Sequence, residues 1–235
     1  MRNLPPGIYP IRNLMGSSHL LVEDDGKSAV FIDAGFFGEI FLVRRLLRRL
    51  GLAPTAIRAI LLTHGHLDHV GNLVELHRWT GAPVWAHADE RAHVEGRYPY
   101  TGISRVCGWL EGAGRILLRR RIGAIDRTFA DDDLLPFWGG LRVVHLPGHT
   151  RGHCGFYSEQ HDLLFSGDLF ATYFFNTHLP PPILNTVPEY FPASFRRVAT
   201  LNPRWIVPNH YDVLDGVLLR RRFDRMHRRL QTANP

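Results

Sequence analysis

The chain has 235 residues, enough for one large domain, and its 45% hydrophobic and 21% charged content is ordinary for a globular enzyme. A formal charge of +6 and a pI of about 9.8 invite a nucleic-acid reading. Against it, Lys27 is the only lysine, the arginine runs (Arg44-Arg45, Arg48-Arg49, Arg119-Arg120-Arg121, Arg220-Arg221-Arg222) are scattered, and no aromatic-interleaved RNA-binding motif accompanies them.

In chain order, Gly7–Arg12, Ser18–Glu23 and Ser28–Asp33 are short apolar runs separated by turn residues such as Asp24-Asp25-Gly26, which predicts three strands. Leucines and a valine at helical spacing predict an amphipathic helix over Phe41–Leu52. Ile57–Thr63 is a continuous apolar run, the pattern of a strand buried on both faces, and it ends at His64. A helix near Val70–Thr80 and a strand at Pro83–Ala86 follow. Between Arg97 and Asp133 the regularity fails, and we read a helical or irregular insertion, either a lid or a contact between two copies in a homodimer. Strands resume at Leu141–Leu146, Gly155–Ser158 and Leu163–Ser166, the last two forming a hairpin around Gln160-His161-Asp162. Ala171–Pro188, with Pro180-Pro181-Pro182, is expected as an ordered loop. A helix near Pro192–Leu201, a strand at Trp205–Pro208 and a helix near Leu214–Leu230 close the chain.

Two cysteines, Cys107 and Cys154, with no CxxC, exclude a disulfide framework and a thiolate zinc site and fit a reducing compartment. The segment from Met1 to Pro6 has no signal-like apolar run, and no stretch approaches the ~20 apolar residues of a membrane span. A cytoplasmic protein is the expectation.

The chemistry is concentrated in Thr63-His64-Gly65-His66-Leu67-Asp68-His69. On an extended segment or tight loop, His64, His66 and Asp68 converge on one side, while the neighbours Asp68 and His69 are expected to point apart. Three further donors, His149, Asp168 and His210, each follow a predicted strand, where a rigid sheet positions a loop. Imidazole and carboxylate suit zinc, iron and similar ions. Asp33 is read as a carboxylate hydrogen-bonding the metal loop, and His153 as orienting a ligand or packing. His87 and His93 are assigned supporting or surface roles, and the cysteines are read as buried small residues.

The order His64-x-His66-x-Asp68-His69, then His149, Asp168 and His210, resembles the metallo-β-lactamase-fold superfamily of metallo-hydrolases. Asp33 in Ile32-Asp33-Ala34-Gly35 is similar to that family's first motif, and the resemblance covers nearly the whole chain. It implies an α+β fold, a four-layer αββα sandwich formed by residues 1–235 as one domain, with metals at one edge between the sheets. It also implies that His64, His66 and His149 bind one metal, that Asp68, His69 and His210 bind the other, and that Asp168 bridges them. Two divalent ions follow, with zinc the default and iron or manganese suited to the same donors. Paired hydrolytic metals sit roughly 3.5–4 Å apart, and a hydroxide between them is the expected nucleophile.

The expected activity is hydrolysis of a small ester, thioester or lactone. β-Lactamases of this fold lack the bridging aspartate and are exported, which counts against that substrate. Hydroxyacylglutathione hydrolases keep the full ligand set but carry a longer C-terminal helical region with basic residues. The alternatives are a phosphodiesterase or nuclease of the same fold, or a persulfide dioxygenase with one iron on His64, His149 and Asp168. Asp68 and Tyr173 are the candidate catalytic residues, Tyr173 as a hydrogen-bond donor to a substrate oxygen. Aromatics of the insertion (Tyr98, Tyr100, Trp109) and of the loop (Tyr173, Phe174, Phe175) are candidates for the pocket wall, and the expected partner is a small-molecule substrate.

Overall fold

The computed structural model describes residues 3–13, 15–97, 100–117, 123–174 and 176–233. Its first sheet runs β1 (Ile8–Arg12), β2 (Ser17–Val22), β3 (Ala29–Ile32), β4 (Ile57–Leu61), β5 (Val84–His87) and β6 (Arg127–Phe129), side by side in that order. β1 to β3 pair antiparallel, and β3 to β6 pair parallel. Between them lie α1 (Ile40–Leu50), the short α2 (Leu67–Val70), α3 (Leu73–Thr80), α4 (Arg91–Val94) and α5 (Arg105–Leu117). The second sheet is assembled from β7 (Leu134–Leu135), β8 (Leu141–His145), β9 (Cys154–Ser158), β10 (Leu163–Gly167) and β13 (Trp205–Pro208). β11 (Ala171–Tyr173) and β12 (Asn176–His178) form a separate hairpin, and α6 (Phe191–Leu201) and α7 (Gly216–Ala233) complete the chain.

Side chains alternate across a strand, so each sheet feeds two cores. In the first sheet Leu20, Phe31 and Ile60 point outward to Val43, Leu47, Leu73 and Leu76 of α1 and α3. Their neighbours Leu21, Val30, Ile32, Ala59 and Leu61 point inward to Val143, Phe156, Leu163, Phe165 and Val207 of the second sheet. The second sheet's other face, with Val144, Leu164 and Ile206, packs on Phe191, Phe195, Val198 and Phe223 of α6 and α7. Three stacked cores make four layers, the αββα sandwich expected.

The hairpin expected at Gln160-His161-Asp162 is present, with Ser158 opposite Leu163. Three expectations are corrected. Ala171–Pro188 is not loop throughout. It holds the β11–β12 hairpin, in which Ala171 pairs His178, followed by single 3-10 turns at Pro182–Leu184 and Pro188–Tyr190. Three-residue strands are too short to show an alternating pattern, so only pairing reveals them. The insertion near 97–133 is likewise shorter than read. α5 lies within it, but Arg127–Phe129 is β6, hydrogen-bonded to β5 at the first sheet's edge. The helix expected near Val70–Thr80 is interrupted: α2 ends at Val70, and α3 begins at Leu73. Among the described residues no helix is long and apolar enough to cross a membrane.

Candidate metal centre

β3 and β4 run parallel, and β8, β10 and β13 share one direction, so the C-terminal ends of all five open at one edge of the sandwich. Those ends deliver Asp33, the Thr63–His69 segment, the loop holding His149, Asp168, and Asn209-His210. Cys154 N donates to Thr63 O (2.9 Å) and Asn209 N to Gly167 O (3.1 Å), stitching the loops together there.

The backbone is extended at His66 (φ −69°, ψ 155°) and then winds into α2, because His69 N and Val70 N both donate to His66 O. Asp68 and His69 therefore ride on a helical turn, not on an extended segment. Contrary to expectation they do not point apart: His69 Nε2 lies 3.5 Å from Asp68 Oδ2. Gly65 permits the chain to pass α4, since a Cβ there would meet the Cβ of His93 at 2.4 Å.

Seven donors gather in two sets. Ligand atoms of His64, His66 and His149 lie within 4.8 Å of one another, and so do those of Asp68, His69, Asp168 and His210. Asp168 reaches both sets. Its Oδ2 is 3.0 Å from His210 Nε2 and 3.5 Å from His149 Nε2, and its Oδ1 is 3.5 Å from His69 Nε2.

Hydrogen bonds behind the rings set their tautomers. Thr63 Oγ1 donates to Asp33 Oδ2 (2.8 Å), so it is left to accept from His64 Nδ1–H (3.0 Å). His69 Nδ1–H donates to Asp33 Oδ2 (2.9 Å) and His149 Nδ1–H to Asn185 Oδ1 (2.8 Å), whose amide in turn donates to Pro180 O. His210 Nδ1 bonds the Tyr173 hydroxyl (2.6 Å). Four imidazoles thus turn Nε2 toward the centre, the arrangement of metal-ligating histidines. His66 Nδ1 faces His149 Nε2 at 2.8 Å.

Burial, reinforced by neighbouring histidines, holds the pKa values of His64 and His66 well below the ordinary imidazole value, and burial lowers that of His149. These three are neutral, the form that ligates. Burial opposes ionisation of Asp68 and Asp168, but His69 and His210 outweigh it and hold both carboxylates well below the usual range. Conversely, burial disfavours charge on His69 and His210, yet the carboxylates carry His69 well up and His210 to about 10. Buried His64 Nε2, His66 Nε2 and Asp168 Oδ1 make no hydrogen bond. Unsatisfied donors of metal-binding type, buried and convergent, fit divalent cations.

The remaining sequence candidates are distributed as follows. Tyr173, 41% exposed, lines a cleft of about 200 Å³ with Met15, Ala171, Pro180, Pro181 and Leu184, and His66, Asp68, His149, Asp168 and His210 form its floor. Tyr100 is buried with its ring stacked on His66, and Trp109 stands 74% exposed on α5, so neither lines the cleft. Phe174 projects at the β11–β12 turn, 93% exposed. Tyr98 and Phe175 lie outside the described residues. His153 Nδ1–H donates to Leu146 O, and its Nε2 accepts from Asp168 N. His93 is buried behind His66, while half-buried His87 stacks on His145. Both cysteines are buried. Three supporting residues went unnoticed in the sequence. Asn185 and Asn209 sit in loops with no motif, although Asn209 is the neighbour of a donor; Glu90 had no signal at all.

Glu39, also buried, accepts from Phe36 N, Ser18 Oγ and Asn13 Nδ2. Burial raises its pKa from 4.5 to about 7. Between those values the folded state holds a proton that the unfolded state has released, so this carboxyl costs stability as pH rises through the interval. Glu39→Gln keeps an acceptor for Phe36 N and can donate to Ser18 Oγ. Relative to the parent, the variant is expected to gain stability from pH 4.5 to 7 and to hold that gain above it. Urea midpoints of the metal-free proteins at pH 5 and pH 8 measure this, and an unchanged difference between the two proteins would contradict it.

The metallo-beta-lactamase superfamily pattern matches residues 12–210. Hydroxyacylglutathione hydrolase GloC of Haemophilus influenzae is 31% identical over 155 residues, 63% of this chain and 64% of that protein. The chain thus aligns with less than two thirds of that relative's length. The solved metallo-beta-lactamase family protein TTHA1429 of Thermus thermophilus superposes with a TM-score of 0.74 at 25% identity, over 97% of this chain and 80% of its own. TTHA1623, solved in a di-iron-bound form, gives 0.65 at 26% identity over 92% and 97%. With its donor loops at one edge of a four-layer sandwich, the chain belongs to the metallo-β-lactamase superfamily.

Proposed function

We propose that the chain is a dinuclear metal-dependent hydrolase of a small, uncharged ester, thioester or lactone. The observation that carries this is a pair of donor sets, with Asp168 of one also 3.5 Å from His149 of the other, beneath a cleft whose described lining has no arginine or lysine. His64, His66 and His149 would hold one ion, and Asp68, His69 and His210 the other, with Asp168 common to both. Two divalent ions would supply Lewis acidity and a water acidified to a pKa of about 7. Zinc is the default, and the di-iron form of TTHA1623 keeps iron in consideration.

The protein's own groups supply orientation and water exclusion. Met15, Ala171, Pro180, Pro181 and Leu184 give the cleft an apolar wall for an acyl group. With His210 Nδ1–H donating to Tyr173 Oη, the phenol proton is free to bond a substrate oxygen. Burial, with Asp168 and Asp68 nearby, raises the pKa of Tyr173 and keeps that proton in place. Tyr173→Phe is expected to lower kcat/KM about tenfold, one hydrogen bond's worth of about 1.4 kcal/mol. Turnover within twofold of the parent would remove Tyr173 from the reaction. A phosphodiester would find no arginine or lysine among the described residues lining the cleft to pair with its charge beyond the ions. A mononuclear iron on His64, His149 and Asp168 would leave His66, Asp68, His69 and His210 without a role.

Metal content per chain tests the reading, together with a panel of a glutathione thioester, a neutral lactone, an aryl ester and a phosphodiester, each assayed before and after chelation. About two ions per chain and chelator-sensitive turnover of the lactone or ester are expected. A single iron and no hydrolysis would overturn the proposal. Preference for the glutathione thioester would bring the chain closer to its Haemophilus relative.

A further inference from the structure

Glu90 lies between β5 and α4, apart from every motif, yet it is completely buried and touches both loops that carry the histidine trio. Its Oε2 accepts from Gly65 N (2.8 Å), the amide between His64 and His66. Its Oε1 accepts from Thr150 Oγ1 (2.6 Å) and Gly152 N (2.9 Å), in the loop that presents His149. We propose that Glu90 is a positioning residue that ties these two loops together and so sets the spacing of His64, His66 and His149 for metal binding. The inference rests on the metal-site reading above.

Three donors converge on one carboxylate, and each belongs to a residue one to three positions from a ligand histidine. Without that acceptor, two backbone N–H groups and a hydroxyl would be buried unpaired, at a cost that favours separation of the loops. The fit is close on both sides. A Cβ on Gly152 would lie 2.9 Å from Glu90 Oε1 and 3.0 Å from Glu90 N, so only glycine lets the second loop approach. No arginine or lysine pairs with Glu90 among the described residues. The nearest cationic candidate is the ring of His93, whose Nδ1 is 3.6 Å from Oε2 and whose pKa burial and His149 lower to about 4. Backbone and hydroxyl donors therefore hold the carboxylate, which makes it a structural tie between loops and not half of an ion pair.

Glu90→Gln replaces one acceptor oxygen by an N–H group that must face Gly65 N or the Thr150–Gly152 pair. Thr150→Val removes one donor while conserving shape and serves as the milder second variant. Three readouts apply to parent and variants: amide hydrogen exchange over 63–70 and 147–153, apparent zinc affinity by chelator competition, and the visible spectrum of the Co(II)-loaded protein. For Glu90→Gln the expected result is a cooperative thermal melt, at least tenfold faster exchange in both loops, and 10- to 100-fold weaker zinc binding with an altered Co(II) spectrum. Thr150→Val is expected to show the same changes at severalfold size, and carries the test if Glu90→Gln does not fold. Exchange, affinity and spectrum within twofold of the parent in the folded variants would overturn the proposal. Should the parent itself bind no metal, the metal-site reading fails, and the exchange data alone decide whether Glu90 ties the loops.

Discussion

On the dinuclear reading proposed above, Asp168→Asn is expected to lower kcat by about 10³-fold or more, equivalent to about 4 kcal/mol of transition-state stabilisation, and to reduce bound metal from two ions per chain to one or none. The carboxylate reaches His149, His69 and His210 at 3.0–3.5 Å and so touches ligand atoms of both donor sets. Asparagine keeps its shape and the main-chain bond from Asp168 N to His153 Nε2, so the fold has little reason to change. It presents one oxygen and an amide N–H group where two anionic oxygens stood. One donor set then loses its shared ligand, and His210 loses the carboxylate nearest to its Nε2. Metal analysis and steady-state kinetics on the folded variant check this. Two ions per chain with kcat within tenfold of the parent would show that Asp168 is not shared.

The second large effect is expected at Asp33, which carries no ligand role. Its Oδ1 accepts from Thr63 N (2.8 Å), and its Oδ2 accepts from Thr63 Oγ1 (2.8 Å), His69 Nδ1 (2.9 Å) and Asn209 Nδ2 (2.6 Å). One buried carboxylate thus fixes the end of β4, the tautomers of His64 and His69, and the residue before His210. Asp33→Ala strands those donors away from water, at about 1–3 kcal/mol for each group left unsatisfied. It also places alanine at φ 60°, a left-handed conformation that costs a further 1 kcal/mol or so. Relaxation recovers part of this, and the expected loss is about 3–5 kcal/mol in urea unfolding, with metal affinity falling in parallel. Asp33→Asn retains one acceptor and tolerates the φ value, so it should lose less stability while still weakening metal binding. A loss below 1 kcal/mol in Asp33→Ala would mean that water or backbone movement satisfies the donors and that Asp33 does not organise the centre.

Much of the centre was legible because its donors lie in one short segment and at three strand ends. Ile57–Leu61 is apolar enough to be read as a buried strand, so a polar cluster beginning at His64 stands out against it. Asp33 and His153 were legible for a similar reason, as polar residues bordering strands. Glu90 and Asn185 were not, because neither belongs to a spaced motif. Glu90 is joined to the centre by partners 25 to 62 positions away. The opposite directions expected for Asp68 and His69 failed for a local reason: two amides bonding to one carbonyl at His66 turned an extended segment into a helical turn.

By itself the sequence located the apolar strands and the candidate donors at their ends, and its family resemblance implied the four layers and the division of the donors into two sets. Alternating apolar residues decide which face of a strand is buried, and imidazole and carboxylate chemistry decides what can bind a cation. Only the tertiary structure decided which ring nitrogen each histidine turns inward and what stands behind each ring. Those properties depend on distances between segments far apart in the chain. They are set by hydrogen bonds from Asp33, Asn185 and Tyr173 that form only when the two sheets bring their strand ends to a common edge.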